Sequence, residues 1–342
     1  MYCLNSTQTA IAPTVINSQR SIIREFGTMG EVSRLFPTHL MANVSPLTTL
    51  AIAYLGPAGT YTEAAALAYS SWLDRCDRLQ CQLSPYSSIP QTFRSLEREE
   101  VQLAVVPVEN SIQGSVTITL DTLWQRETLQ VQQALVLPIH HALISRSVSL
   151  DRVETVYSHP QALAQCQKWL ERNLPHVKLR STNSTTEALQ YLGEDSTLAT
   201  IASERAAQLY NLPILAHPIN DAAENCTRFW VVRSPHLKPE LPIAPGSQYV
   251  SIAFSLPKNA PGALLNPLQV LARWDINMSR IESRPTKRSL GEYLYFIDFE
   301  ADSGDGVWKE ALAELSHYTE ILKVFGNYTV LQCDELVGLE IE

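Results

Sequence analysis

A chain of 342 residues exceeds what one ordinary hydrophobic core supports, so two or three domains are expected. Hydrophobic residues make up 45% and charged residues 18%, a globular balance that excludes wholesale disorder. The net charge of −9 argues against general nucleic-acid binding, and no apolar run approaches the roughly 18 residues of a membrane helix. The cysteines (Cys3, Cys76, Cys81, Cys166, Cys226, Cys333) form no C-x-x-C pair, and no histidines stand at metal-finger spacing around them. They read as free thiols in a reducing compartment, which places the protein in the cytoplasm, with no metal and no cofactor expected.

Residues 1–49 are rich in Ser, Thr, Asn and Gln, without a sustained period. They lack a signal-peptide apolar core and read as a poorly ordered extension or as an upstream start, Met41 being a second candidate start. From Leu50 the pattern changes. Leu50–Leu55 is a strand, Gly56–Thr60 a turn and Thr62–Tyr69 a helix. Strands follow at Leu103–Val108, Leu129–Leu137, His140–Ile144, Val153–Tyr157, Thr197–Ile201 and Phe229–Val232. Helices are expected at 115–124, after Pro160 with Leu163, Cys166 and Leu170 on one face, and at Ala202–Tyr210. This alternation predicts an α/β domain over 50–233 with largely parallel sheets. Residues 234–247 are proline-rich and read as a linker. Beyond it comes strand, helix, strand, strand, helix, strand, the ferredoxin-like βαββαβ order, over 248–335.

Four strand ends in the first domain pass through small polar turns toward helices: Gly56–Thr60, Glu109–Gly114, Ser158–Gln161 and Ser184–Glu187. In an α/β sheet such turns gather at one edge, and helix starts present free N–H groups to an anion. Singly each is capping chemistry; together they outline a crevice for a carboxylate-bearing small molecule. Glu224–Phe229 places a carboxylate, amide, hydroxyl and guanidinium before a strand. Arg228 suits a substrate carboxylate, or pairs with Glu224 on a surface loop. His159 reads as a general base or as a helix-start residue, and Glu109 as an acid–base group or a cap. No G-x-S-x-G, G-x-G-x-x-G or P-loop is present. In the C-terminal segment, Gly262 would let a ligand approach a helix start, and Ile281–Pro285 carries a charge pair.

These stretches resemble the prephenate dehydratase family with a C-terminal ACT domain. The resemblance is carried by Tyr54–Tyr61 (YLGPAGTY), Pro107–Ser111 (PVENS), Ser158–Leu163 (SHPQAL), Asn225–Phe229 (NCTRF), Pro261–Leu264 (PGAL) and Ile281–Pro285 (IESRP), in the family's order over about 50–335. It implies a two-lobed catalytic domain like the periplasmic binding proteins. The implied reaction converts prephenate to phenylpyruvate with loss of CO2 and water, on the way to phenylalanine. Thr227, Arg228 and Glu109 become the catalytic candidates, with Thr227 assisting departure of the ring hydroxyl and Arg228 holding a carboxylate. Thr60, Asn110, Ser111, Gln161, Asn225 and Phe229 become the substrate-binding candidates. Gly262, Ala263, Leu264, Glu282, Ser283 and Arg284 would bind L-phenylalanine as feedback inhibitor, between paired ACT domains of a homodimer or homotetramer. Residues 1–49 are too short for the chorismate mutase domain fused in some relatives. Gln113 stands where many members carry Glu, and Tyr61 where Phe is usual. Arogenate dehydratase shares nearly all these motifs and stays open, as does a non-enzymatic ligand sensor of the same fold.

Overall fold

The computed structural model describes residues 49–234, 236–237, 240–301 and 306–333; the extension expected over 1–49 lies outside these except for Thr49. The chain runs β1 (Thr49–Leu55), α1 (Tyr61–Asp77), β2 (Gln80–Tyr86), α2 (Ile89–Glu97), β3 (Leu103–Asn110), β4 (Gly114–Ser115), α3 (Thr117–Trp124) and β5 (Gln130–Pro138). It then crosses to a second lobe: β6 (His141–Ser145), β7 (Thr155–Ser158), α4 (Pro160–Gln165), α5 (Gln167–Asn173), β8 (Lys178–Ser181), β9 (Leu198–Ser203), α6 (Glu204–Leu209) and β10 (Ile214–Ala216). β11 (Cys226–Arg233) returns to the first lobe. The C-terminal unit is β12 (Gln248–Ser255), α7 (Leu265–Arg273), β13 (Met278–Pro285), β14 (Tyr293–Ala301), α8 (Val307–Leu315) and β15 (Ile321–Gln332).

Strand order in the first lobe is β2-β1-β3-β11-β5, and in the second β10-β6-β9-β7-β8. β1 is parallel to β2 and β3, and β7 to β8 and β9. β11 runs antiparallel to both its neighbours, and β6 to β9 and β10. The sheets are therefore mixed rather than largely parallel. A parallel neighbour needs a helical crossover, and the two passages between lobes supply none. The element carrying Leu163, Cys166 and Leu170 is two short helices interrupted at Cys166. Ala202 belongs to β9; Ser203 then caps α6, its side chain accepting from the Ala206 amide. β2, α2, β8 and β10 carry weaker sequence signals. β8 is exposed at all four positions and β10 spans three residues.

The C-terminal sheet has the order β13-β14-β12-β15, the ferredoxin-like arrangement that its element order predicts. It is not a separate sheet. β15 pairs with β12 along its first part, and its last residues, Val330–Gln332, pair in parallel with Ala134–Val136 of β5. An extra residue, Phe325, sits at the register shift opposite Ser251/Ile252. Such a bulge bends a strand enough to serve two partners. At the crossing a Cβ on Gly326 would collide with the Val131 carbonyl oxygen, so only glycine fits. Gln133 of β5 is fully buried and bonds Thr329, whose hydroxyl donates to the Ala244 carbonyl. The proline-rich segment also buries Leu237, Leu241 and Ala244 in the core against α1, which anchors it at those residues.

Candidate active site

The centre of the first lobe is β11, flanked by β3 and β5. Its side chains alternate. Thr227 and Phe229 face the cleft between the lobes, whereas Trp230 and Val232 join the core shared with the C-terminal sheet. Against β3 the register shifts by one residue: Arg228 pairs with Glu109, but Phe229 pairs with Pro107. The extra residue, Val108, reverses the alternation of β3 beyond it. Pro107 and Asn110 consequently both face the cleft, while Glu109 turns to the back with Arg228.

The cleft holds a cavity of about 770 Å3. The four predicted turns converge on it through Gly56–Pro57–Thr60, Asn110, His159–Gln161 and Asn183–Ser184–Thr185. Each turn has a local cause. Thr60 caps α1, accepting from the Glu63 amide at 3.3 Å, and Glu63 reaches back to the Gly59 amide at 2.7 Å. Gly59 has φ +86° and packs against Ala206 of the second lobe, while its carbonyl accepts from Ser203 Oγ at 2.7 Å. His159 is the cap of α4, its Nδ1 accepting from the Gln161 amide at 3.2 Å. Ser184 Oγ accepts from the Glu187 amide, and Glu187 accepts from the Asn183 amide. The helix-start reading of His159 is thus the one its contacts satisfy.

Behind the lining runs a neutral polar network. Asn110 Nδ2 donates to Asn225 Oδ1 at 2.8 Å, to the Cys226 carbonyl at 3.1 Å and to Thr227 Oγ1 at 3.0 Å. Asn110 Oδ1 accepts from the amides of Ile112 and Gln113. Asn225 Nδ2 donates to Gln165 Oε1, which also lies 2.8 Å from His141 Nε2. His141 Nδ1 is 3.0 Å from Tyr61 Oη, which donates to the His140 carbonyl. Desolvation holds the His141 imidazole below its ordinary pKa, with a smaller contribution from the neighbouring His140; the bond to Gln165 opposes both. Burial likewise lowers His159. The neutral His141 therefore carries its proton on Nε2, toward Gln165, and leaves Nδ1 unprotonated beside Tyr61 Oη. Among the described residues lining the cavity none is Asp, Glu, Lys or Arg.

Of the predicted substrate contacts, Thr60, Asn110, Gln161 and Phe229 line the cavity, as does the predicted catalytic Thr227. Asn225 is buried behind it as a partner of Asn110, and Ser111 is exposed, its hydroxyl accepting from the Cys226 amide. Arg228 and Glu109 are a correction. They lie behind β11, where Arg228 Nη1 is 3.5 Å from Glu109 and 3.7 Å from Asp298 of β14. Strand alternation makes it impossible for Thr227 and Arg228 to share the cleft face. Arg228 does not pair with Glu224, and it does not reach the cavity. Gln165 and His141 went unpredicted. Gln165 stands one helical turn beyond Gln161, a spacing that puts both on one face of α4; nothing near His141 signals its position.

In the C-terminal unit, Gly262 is exposed with φ +78° at the turn before α7, and Ala263 and Leu264 follow it half-buried. Ser283 is exposed on β13, the edge strand. Glu282 accepts from Ser115 Oγ of β4, and Arg284 and Lys287 bond Asp121 of α3. β13 therefore faces the first lobe within the same chain.

Fold and site together define an α/β protein with a ligand cleft between two lobes, its first sheet continuous with a ferredoxin-like unit. A family model described as prephenate dehydratase matches residues 52–236. The chain is 40% identical over 81% of its length to a bifunctional chorismate mutase/prephenate dehydratase of Aquifex aeolicus, covering 73% of that protein. It is 37% identical over 82% of its length to a prephenate dehydratase of Methanocaldococcus jannaschii, covering 98% of it. The crystal structure of prephenate dehydratase from Arthrobacter aurescens in complex with L-Phe superposes with a TM-score of 0.71 at 31% identity, over 82% of this chain and 90% of that one. The chain belongs to the prephenate dehydratase family. No helix among the described residues is long and apolar enough to cross a membrane.

Proposed function

We propose that this chain converts prephenate to phenylpyruvate, CO2 and water in phenylalanine biosynthesis, within residues 50–233. One observation carries the reading: Thr227, Asn110 and the start of α1 converge on a cavity whose lining bears no charged side chain. Prephenate is a dianion. Loss of its ring carboxylate as CO2 leaves an electron pair that aromatises the ring and expels the ring hydroxyl. The departing oxygen takes up one proton and leaves as water. Thr227 Oγ1 accepts from Asn110, so its own hydrogen is free to point into the cavity and bond the departing oxygen. The carboxylates fall to the Tyr61 and Thr62 amides at the start of α1, and to Gln161, Ser184 and Thr185. Arg228 has no part in holding them.

Arogenate, which carries an ammonium where prephenate carries a keto group, is the alternative substrate; a lining without charged side chains of either sign does not separate the two. The C-terminal unit, residues 248–335, is read as an ACT domain that binds L-phenylalanine at Gly262–Leu264 and Glu282–Arg284, in a homodimer or homotetramer. Its contacts from Glu282 to Ser115 and from Arg284 to Asp121 give bound phenylalanine a route to the Asn110 loop. By linkage, phenylalanine and prephenate then weaken each other's binding.

The test is turnover of prephenate and arogenate side by side, with and without phenylalanine. Faster consumption of prephenate, inhibited by phenylalanine, is the expected result. Preference for arogenate would reassign the substrate, and turnover of neither would favour a ligand sensor.

A further inference from the structure

The back of β11 carries a closed cluster of opposite charges at the seam with the C-terminal sheet. Asp298 of β14 is 1% exposed and Arg280 of β13 is 9% exposed. Arg280 Nε donates to Asp298 Oδ2 at 2.7 Å, and Asp298 Oδ1 accepts from Ser251 Oγ at 2.6 Å. Ser251 in turn lies 2.6 Å from Tyr328 Oη. Arg280 also stacks over Trp230, at 5.8 Å from the ring centroid. Arg228 bridges this buried carboxylate to Glu109 of β3. Two guanidiniums thus meet two carboxylates across four strands.

Buried ion pairs contribute little net stability; in some proteins they serve instead to fix the register of the elements that carry them. The register in question is informative. The shift between β11 and β3 falls between Arg228 and Phe229, where the regular ladder is interrupted. There the extra residue, Val108 of β3, breaks the ladder between the two strands, so their alignment leans more on what their side chains grip. Arg228, next to Thr227, grips Glu109 beside the bulge on one side and Asp298 of the C-terminal sheet on the other.

We propose that Asp298, contributed by the C-terminal sheet, is a positioning residue for Thr227: through Arg228 it holds β11 in place against the bulged strand β3 at the cleft. The inference rests on the reading of Thr227 as the group that meets the departing oxygen. A displacement of the hydroxyl by a fraction of an ångström suffices to slow such a step. The C-terminal unit then completes the catalytic geometry as well as carrying a regulatory site.

The experiment uses the full chain in three variants. Asp298→Asn keeps the shape and the Ser251 bond but removes the charge that Arg228 reaches. Arg228→Lys shortens the reach from the other side. Asp121→Asn breaks a different seam ion pair, one that does not touch β11, and serves as the control. Two readouts are taken: steady-state turnover of prephenate without phenylalanine, and backbone hydrogen exchange of the segment containing residues 226–230. Asp298→Asn and Arg228→Lys are each expected to lower kcat by about tenfold with KM nearly unchanged, the double variant being no worse than the more damaged single. Both should speed exchange in that segment, and Asp121→Asn should do neither. Exchange and kcat that move no more in Asp298→Asn than in Asp121→Asn would overturn the proposal, as would fully additive losses in the double variant. If Asp298→Asn does not fold, Arg228→Lys against the same control decides. A wild-type chain that turns over no prephenate would contradict the proposed reaction instead, and the exchange readout would still judge the positioning role.

Discussion

The two faces of β11 solve opposite electrostatic problems with neighbouring residues. On the front, Thr227 and Phe229 look into a cavity lined by hydroxyls, amides, neutral imidazoles and apolar groups. On the back, Arg228 and Trp230 meet Glu109, Asp298 and Arg280. Charge is kept where it joins parts of the fold and is absent where a charged ligand is to be received. A dianion that must lose one carboxylate as neutral CO2 gains from this division. A guanidinium on that carboxylate would stabilise the starting charge and hold it back, whereas dipoles elsewhere in the cleft can bind the other end.

The largest test of the front face is Thr227→Ala. It is expected to lower kcat for prephenate by about 10²–10³ with little change in KM, the loss typical of one well-placed donor. Thr227→Ser, which keeps the hydroxyl, should recover most of it. Putting a charge on the front comes next. Asn110→Asp sets a carboxylate beside Thr227 and removes the donor that Thr227 Oγ1 accepts from. Repulsion of a dianion should raise KM by about tenfold or more. An unchanged KM, measured by initial rates over a range of prephenate, would show that the substrate sits elsewhere.

This division of faces marks the limit of what the sequence revealed. Most strands and helices, though not β2, α2, β8 and β10, were legible, as were the ferredoxin-like unit and the four turns at the cleft, because each rests on local signals: apolar period, capping residues and glycine or proline punctuation. The motif Asn225–Phe229 was legible as a site but not as a geometry. Alternation alone would have parted Thr227 from Arg228 once the strand was extended back to Cys226, three residues before the predicted run Phe229–Val232. The reversal at Val108, which sends Glu109 backward and Asn110 forward, is a bulge without a local signature. Joining of the sheets through β15 depends on Gly326 meeting Val131, a contact between residues nearly two hundred positions apart. Gln165 and His141 became visible only when the lobes faced each other.

A smaller effect comes from titrating the front face. Burial lowers the pKa of His141, so the unfolded chain binds more protons than the folded one in the window from the ordinary value of about 6.5 down to the lowered value. Stability should therefore be complete above about pH 6.5 and fall as the pH drops through that window; His159 contributes with the same sign. Urea midpoints at about pH 7.5 and pH 5.5 should differ in the wild type, and less so in His141→Asn, whose side chain carries no titratable proton. Equal dependence in both would mean that the His141–Gln165 bond is kept by a protonated ring.

The smallest expected effect belongs to the back of the molecule away from β11. Burial alone would raise the Asp121 carboxyl, but hydrogen bonds and charge from Arg284 and Lys287 outweigh it and hold the group below its ordinary value. Its contribution is present above the ordinary carboxylate pKa of about 3.9 and is lost as the pH falls through the lowered one. Lys287 is well exposed and Arg284 partly so, which screens the pair. Asp121→Asn should therefore cost below about 1 kcal/mol near neutral pH, and less again in high salt. A loss several times larger would mean that α3 is anchored to the C-terminal sheet mainly by charge. The apolar contacts of Trp124 with Phe296, and the Lys323 ammonium bonded to the Trp124 carbonyl, argue that it is not. On that view the seam is held by packing, and its ions serve alignment, most tightly at Asp298, where the strand being aligned carries Thr227.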